Sequence, residues 1–243
     1  MTTHQGARAR ARAEITAAIK DTARRQLADE GAAKLSLRAV ARELGMVSSA
    51  LYRYFPSRDD LLTDLIIDAY DAVGEVAERA WAEARATATG PDGADPLACW
   101  TAVCSAARAW GLAHPHEYAL IYGSPVPGYS APQSTVRAAA RVSMSLLGIV
   151  RDARRSGELT DVPLPAALHT EAQRMVADFA PDLPVGTAAA LVAAWAQLFG
   201  LIGFEVFGQF HRVVEEREAF FVHAVERLGR GVGLVGRGPA ADS

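Results

Sequence analysis

Apolar residues recur every three or four positions along most of this 243-residue chain. Ile15, Ile19, Thr22, Ala23 and Leu27 share one face of a helix predicted from about Arg12 to Glu30. Gly31 follows, where a left-handed residue closes a helix. Ser36 is placed to cap a second helix, in which Leu37, Val40, Ala41 and Leu44 face one way and Arg38, Arg42 and Glu43 the other. Gly45 ends it. Met46 and Val47 form a tight turn, and Ser48 opens a third short helix, from Ser49 to Phe55. Leu51 and Phe55 point inward from it, leaving Ser48, Ser49, Tyr52 and Arg53 outward. Pro56 stops that helix. Ser57 starts a fourth, with Asp60 in the capping-box position. Its stripe is long: Leu61, Leu62, Leu65, Ile66, Ala69, Val73, Val76 and Ala80.

Residues 87–95 are small, polar or helix-breaking and predict a loop. Asp95-Pro96 then reads as a cap followed by proline at the first helical position, opening a helix to about Leu112. Pro115 starts another that ends near Tyr122, and an irregular loop fills 123–132. Further helices are expected near 133–156, 164–180, 185–210 and 211–229. The first ten residues read as a flexible basic arm, and the tail from about Gly229 as disordered. No alternating run supports a sheet, so the fold class is all-α.

Charge is unevenly spread. Residues 1–60 hold 11 Lys+Arg against 7 Asp+Glu, and the remainder holds 14 against 21. A basic head on an acidic body suits contact with a polyanion, or is chance asymmetry. Cys99 and Cys104 are five apart, on different helix faces, which disfavours a disulfide and points to a reducing, cytoplasmic setting. Val185–Val206 carries one charge, Glu205, and is long enough to span a bilayer. Its Ala and Gly content, Gln197 and the lack of basic anchors favour a helix buried in protein, so no membrane partner is expected. HExxH, a phosphate-binding glycine loop and a Cys/His cluster at metal spacing are all absent from the sequence, so neither an enzyme nor a metal or cofactor is expected.

Two short helices joined by a glycine-containing turn, with a basic outer face, form a helix-turn-helix candidate or an ordinary helical hairpin with a solvated face. Arg53 carries the fork that matches guanine O6 and N7. At this point a resemblance becomes specific. Residues 35–62, LSLRAVARELGMVSSALYRYFPSRDDLL, resemble the DNA-binding segment of TetR-family regulators. Its marks are the first motif helix ending in Gly45, the Leu51-Tyr52-Arg53-Tyr54-Phe55 block, and Pro56-Ser57-Arg58-Asp59-Asp60-Leu61-Leu62. Arg58 stands where lysine is usual, and Tyr54 where histidine is frequent. Residues 109–123, with Trp110 and His114-Pro115, look like the WHG-type C-terminal subclass.

The resemblance implies a helix-turn-helix domain over 11–58, a fourth helix over 58–84 as connector, and a larger ligand-binding and dimerisation domain over 59–229. It implies that Ser36, Arg38, Ser48, Ser49, Tyr52, Arg53, Ser57 and Arg58 meet double-stranded DNA at an inverted-repeat operator, Ser57 alternatively serving as a cap. Arg8, Arg10 and Arg12 reach the DNA from the arm, or form a solvated tail. It also implies a homodimer, for which Leu191, Trp195, Leu198, Phe199 and Ile202 offer apolar area, or else a central core helix. A small, largely apolar effector is implied as well, with Trp100, Cys104, Trp110, Tyr118, Tyr122, Met144, His169 and Phe179 lining a pocket or forming plain core. Repression is the family's usual mode. The alternative is a helical adaptor, or a dimer that has lost sensing or sequence-specific binding.

Overall fold

The computed structural model describes residues 2–87 and 93–237, without the side chains of residues 2–5, 178 and 179. Among the described residues, eleven helices run α1 (Thr2–Glu30), α2 (Leu37–Glu43), α3 (Ser48–Leu51), α4 (Arg58–Ala86), α5 (Pro96–Ala113), α6 (Pro115–Tyr122), α7 (Val136–Ala139), α8 (Arg141–Ser156), α9 (His169–Phe179), α10 (Val185–Val206) and α11 (Arg217–Gly231). They pack as two compact units, residues 1–70 with 114–138, and residues 71–113 with 139–243. The change of unit falls inside α4 rather than at residue 58, and α6 packs with the N-terminal helices.

In the first unit the expected stripes meet in one core. Ile19, Ala23 and Leu27 of α1, Leu37, Val40 and Ala41 of α2, Leu51 and Phe55, and Leu61, Leu62, Leu65 and Ile66 of α4 are all buried together. Each large aliphatic side chain removed from water contributes roughly 1.5–3 kcal/mol, which is how helices of four and seven residues persist here when neither would survive alone. Caps delimit them. The Ser36 hydroxyl accepts the Ala39 N–H at 3.4 Å. Ser57 Oγ accepts the Asp60 N–H at 3.1 Å and donates to the Asp60 carboxylate at 2.7 Å. Gly45 takes φ +64°, the left-handed value that the turn between α2 and α3 requires. Ser48 is the first helical residue of α3 and Val47 its cap, one residue earlier than the sequence suggests.

Two sequence expectations need correction at the ends of the chain. The basic arm is the beginning of α1, which starts at Thr2. Ala and Arg alternate from Ala7 to Ala13, and both have high intrinsic helix propensity, so helix forms there with no apolar stripe to announce it. The tail is ordered through Arg237. Val232 and Leu234 are buried, the Thr160 N–H donates to the Gly233 carbonyl at 2.8 Å, and the Val235 N–H donates to the Glu158 carbonyl at 3.0 Å. The last six residues of the expected tail, and residues 88–92 of the expected loop, lie outside the described residues.

In the second unit α5 packs against α8, α10 and α11. The buried Trp100 indole N–H donates to the Val225 carbonyl at 2.9 Å, fixing α5 against α11. A side chain at Gly148 would have no room beside the Trp81 ring, so glycine lets α8 and α4 approach closely. The expected helix over 133–156 is broken at Ala140, between α7 and α8. The expected helix over 185–210 ends at Val206, after which Gly208 and Arg212 take positive φ and α11 begins only at Arg217.

Candidate nucleic-acid interface

The outer surface of the helix-turn-helix is built by subtraction. Leu37, Val40 and Ala41 bury one face of α2, and Leu51 and Phe55 bury one face of the third element. Outside lie Arg38, Arg42 and Glu43 on α2 and Ser48, Ser49, Tyr52 and Arg53 beyond the turn, all exposed. After Leu51 the chain tightens from α into a 3-10 turn: the Arg53 N–H donates to the Ala50 carbonyl at 3.2 Å and the Tyr54 N–H to the Leu51 carbonyl at 2.8 Å. Tyr52 and Arg53 therefore project from a turn rather than from a continuing helix. Among the described residues, the side chains of Arg38 and Arg53 carry no ion pair, so both cations remain available to an incoming anion.

Several other cations of this unit are engaged. Arg24 donates to Asp68 at 2.7 Å and to Asp21 at 2.7 Å and lies 3.3 Å from Glu117, while Lys20 lies 2.9 Å from Asp68. Arg25 pairs with Glu43 at 2.8 Å. Arg58 donates from Nη2 to the Ala32 carbonyl at 2.8 Å, from Nε to the Leu35 carbonyl at 3.2 Å, and from Nη1 to Asp59 at 3.1 Å. It thus ties the α1–α2 connection to the start of α4. Ser57 is engaged in its cap and exposed.

Two contacts of this unit were not foreseen. The Arg12 guanidinium lies 5.0 Å from the centre of the Tyr54 ring and donates to the Arg53 carbonyl at 3.3 Å. The signal existed in the sequence as the tyrosine at position 54, which offers a cation a π-face.

The residues suggested as pocket-lining do not converge. Trp100, Cys104 and Trp110 are buried in α5 of the second unit, and burial pushes the Cys104 thiol pKa up. Tyr118 and Tyr122 belong to α6 in the first unit, with Tyr118 buried and the Tyr122 ring edge-on to Tyr70 at 5.8 Å. Burial raises the Tyr122 phenol pKa. His169 is exposed at the start of α9, its Nε2 3.2 Å from the Leu164 carbonyl. The Phe179 side chain lies outside the described residues. Met144 does border a cavity, of about 270 Å³, between α8, α9 and α10, together with Leu147, Met175, Leu191, Val192 and Trp195.

The residues suggested for a subunit contact also separate. Leu198, Ile202 and Phe199 are buried within the protomer and offer no area to a partner. Leu191 is half-buried and Trp195 is 39% exposed. A groove of about 780 Å³ instead runs between α10 and α11, bordered by Ala190, Ala193, Gly200, Phe204, Phe220, Ala224 and Arg227. By length and composition α10 could cross a membrane. It also packs on α5, α9 and α11, and its Glu205 is paired with Arg108.

Comparison with known proteins agrees with this geometry. Residues 19–65, which span the helix-turn-helix, match the family described as bacterial regulatory proteins, tetR family. Residues 100–228 match the family described as tetracyclin repressor-like, C-terminal domain. HTH-type transcriptional regulators of Mycobacterium tuberculosis and Mycobacterium bovis are 42% identical over 213 residues, covering 84% of this chain and 86% of theirs. A crystal structure of a regulatory protein designated SCO4313 superposes with a TM-score of 0.72 at 33% identity, over 90% of this chain and 97% of that one. With both halves matched, and with relatives that are transcription regulators rather than enzymes, the chain belongs to the TetR family of DNA-binding transcription regulators.

Proposed function

We propose that this protein is a cytoplasmic repressor that binds an inverted-repeat operator as a homodimer and leaves it when a small, largely apolar effector binds the second unit. The observation that carries the reading is the exposed Arg53, without an ion pair among the described residues, beside Tyr52, Ser48 and Ser49 on a turn anchored by Leu51 and Phe55. A guanidinium free of acidic partners can hold guanine O6 and N7, and the flanking hydroxyls can bond phosphate or base edges. Arg38 adds charge on the same motif.

The groove between α10 and α11 supports the dimer. Small residues at 190, 193, 200 and 224 make a hollow, and Phe204 and Phe220, 53% and 41% exposed, project beside it. A surface carrying both knob and hollow can pair with its own copy about a two-fold axis. The cavity bordered by Met144, Met175 and Trp195 supports an apolar effector, because its wall is almost free of polar groups. Trp110, buried in α5, and His114-Pro115 at the start of α6 support the WHG-type assignment of the sensor.

The test is selection of random duplex DNA by the purified protein at near-physiological salt. Enrichment of an inverted repeat is the expected result. Weak, salt-sensitive binding with no enriched sequence would overturn sequence reading and favour the adaptor alternative.

A further inference from the structure

Within the second unit, the last turns of α4, the first turn of α5 and the end of α8 enclose a cavity of about 470 Å³ that shares no residue with the one beside Met144. Part of its wall is apolar: Trp81, Pro96, Cys99 and Ile149. Trp81 is seated against α8, since a Cβ at Gly148 would come within 2.1 Å of its six-membered ring, and it is half-buried, which leaves part of the ring to a ligand. The rest of the wall is charged, with Arg85 and Arg155 as cations and Asp152 and Glu158 as carboxylates. Glu158 is already matched, by the Ser156 hydroxyl donating at 2.7 Å and by Arg237 Nε donating at 2.6 Å. Arg237 also donates to the Gly93 carbonyl at 2.8 Å, so the C-terminal segment ties the loop before α5 to the end of α8. Asp152 is shared between two cations: Arg155, three residues on, and Arg85, whose Nε stays 3.8 Å away, beyond hydrogen-bond reach. The Arg85 guanidinium lies 5.5 Å from the centre of the Trp81 ring. Asp95 accepts the Leu97 N–H as the cap of α5 and is not on the wall.

We propose that this cavity binds a small planar aromatic carboxylate, its ring against Trp81 and its carboxylate on Arg85. The volume falls in the range of small-molecule sites. Arg85 and Arg155 are exposed while Pro96, Cys99 and Ile149 are buried, so charge lies outward and apolar surface inward, the polarity of a ligand with an apolar body and an anionic head. A flat ring suits the indole better than a flexible chain does. A guanidinium held over an indole can take a carboxylate through two parallel N–H bonds, and the long contact to Asp152 leaves room for one to compete. Counting Arg237, three cations meet two carboxylates at the wall, and one bound anion brings the charges level. A cationic ligand would face Arg85 and Arg155 instead. The inference depends neither on the DNA-binding reading nor on the apolar effector cavity.

The experiment is equilibrium dialysis of the intact protein against 1-naphthoate and against 1-naphthamide, which keeps the ring and removes the charge. Naphthoate is expected to bind saturably, and the amide about tenfold more weakly or worse, since a charge-assisted pair is lost. Arg85→Met keeps the stem of an exposed side chain and is expected to lower naphthoate affinity by about tenfold while leaving amide binding unchanged. Trp81→Leu is expected to weaken both probes. Trp195→Ala, at the cavity beside Met144, is expected to change neither. Thermal melting checks each fold; should Trp81→Leu fail it, Arg85→Met still decides. Equal affinity for the two probes, wild-type naphthoate affinity in Arg85→Met, loss of binding in Trp195→Ala, or no saturable binding at millimolar naphthoate overturns the proposal. Each of these outcomes leaves the DNA-binding reading untouched.

Discussion

Arg108 of α5 and Glu205 of α10, 97 residues apart, form a two-pronged ion pair, with Nε donating to one carboxylate oxygen at 2.7 Å and Nη2 to the other at 2.7 Å. The Glu205 side chain is 5% exposed, and the Arg108 guanidinium also lies over the Phe221 ring at 5.3 Å. The hydrogen bond to Glu205 holds the Arg108 pKa above its ordinary value. Removing one partner leaves the other charge buried. Glu205→Ala is therefore expected to cost about 3–5 kcal/mol, whereas the double variant Arg108→Met, Glu205→Leu recovers most of that loss. Urea unfolding of the three proteins checks it; equal loss in the single and double variants would refute the argument.

Arg58 donates to the carbonyls of Ala32 and Leu35 and pairs with Asp59. Arg58→Ala is expected to destabilise the first unit by about 2 kcal/mol, because bonds from a charged donor to half-buried carbonyls are lost. Lysine, with no planar fork, is expected to recover less than half of this. Thermal denaturation gives the ranking. A wild-type melting temperature for Arg58→Ala, with DNA affinity reduced, would make Arg58 a phosphate contact only.

Arg53→Ala is expected to weaken binding to the selected duplex by about 1–3 kcal/mol and to change binding to scrambled DNA much less. Fluorescence anisotropy on both duplexes measures the two losses. Equal loss on both would reassign Arg53 to the phosphates.

Gly200 borders the α10–α11 groove, and a Cβ built there meets nothing within 4 Å. Gly200→Arg should therefore leave the protomer intact, with helix stability unchanged or raised by up to about 1 kcal/mol. The same substitution places a bulky charge in the groove and is expected to convert dimer to monomer. Sedimentation velocity reads this directly, and an unchanged dimer would remove the groove as its interface.

Arg141 donates to Glu78 at 2.8 and 2.7 Å and to Asp71 at 2.8 Å. The bond from Arg141 holds the Glu78 carboxyl below its ordinary pKa. A carboxyl whose pKa is lowered on folding adds stability above its unfolded value, and that stability is lost as pH falls through the folded value. Wild type is thus expected to melt above Glu78→Gln at neutral pH, with the gap closing below about pH 4, the unperturbed glutamate range. Both groups are partly exposed, so the gap is small. A gap independent of pH would show that the glutamine variant loses packing rather than charge.

Much of the first unit was legible residue by residue. Ser36 and Ser57 act as caps, and Leu37, Val40, Ala41, Leu51 and Phe55 are buried where their spacing puts them. The site was less legible. Tyr52 and Arg53 are exposed as their spacing requires, yet the Arg12 contact behind them joins residues 41 apart, and the tyrosine at position 54 does not by itself say which cation it meets. The second unit was harder still. Trp100, Cys104 and Trp110 are core, and an alanine- and glycine-rich helix such as α10 is nearly apolar all round, so periodicity alone cannot choose its buried side.

The sequence by itself determined the all-α class, the limits of α2 and α4–α6 to within two residues, and the helix-turn-helix with its outward Ser48, Ser49, Tyr52 and Arg53. Those features are set within one or two turns of chain, by caps, by glycine and proline, and by the period of apolar residues. Only the tertiary structure decided that Leu198 and Ile202 face inward while Gly200 and Phe204 border an open groove, and that Arg58 holds carbonyls. Only the tertiary structure decided, too, that the residues after Val232 dock against Glu158 and Thr160. Each of these depends on which distant segment supplies the neighbouring surface or the missing hydrogen-bond partner, and burying that surface is a property of the packed unit rather than of any short stretch of chain.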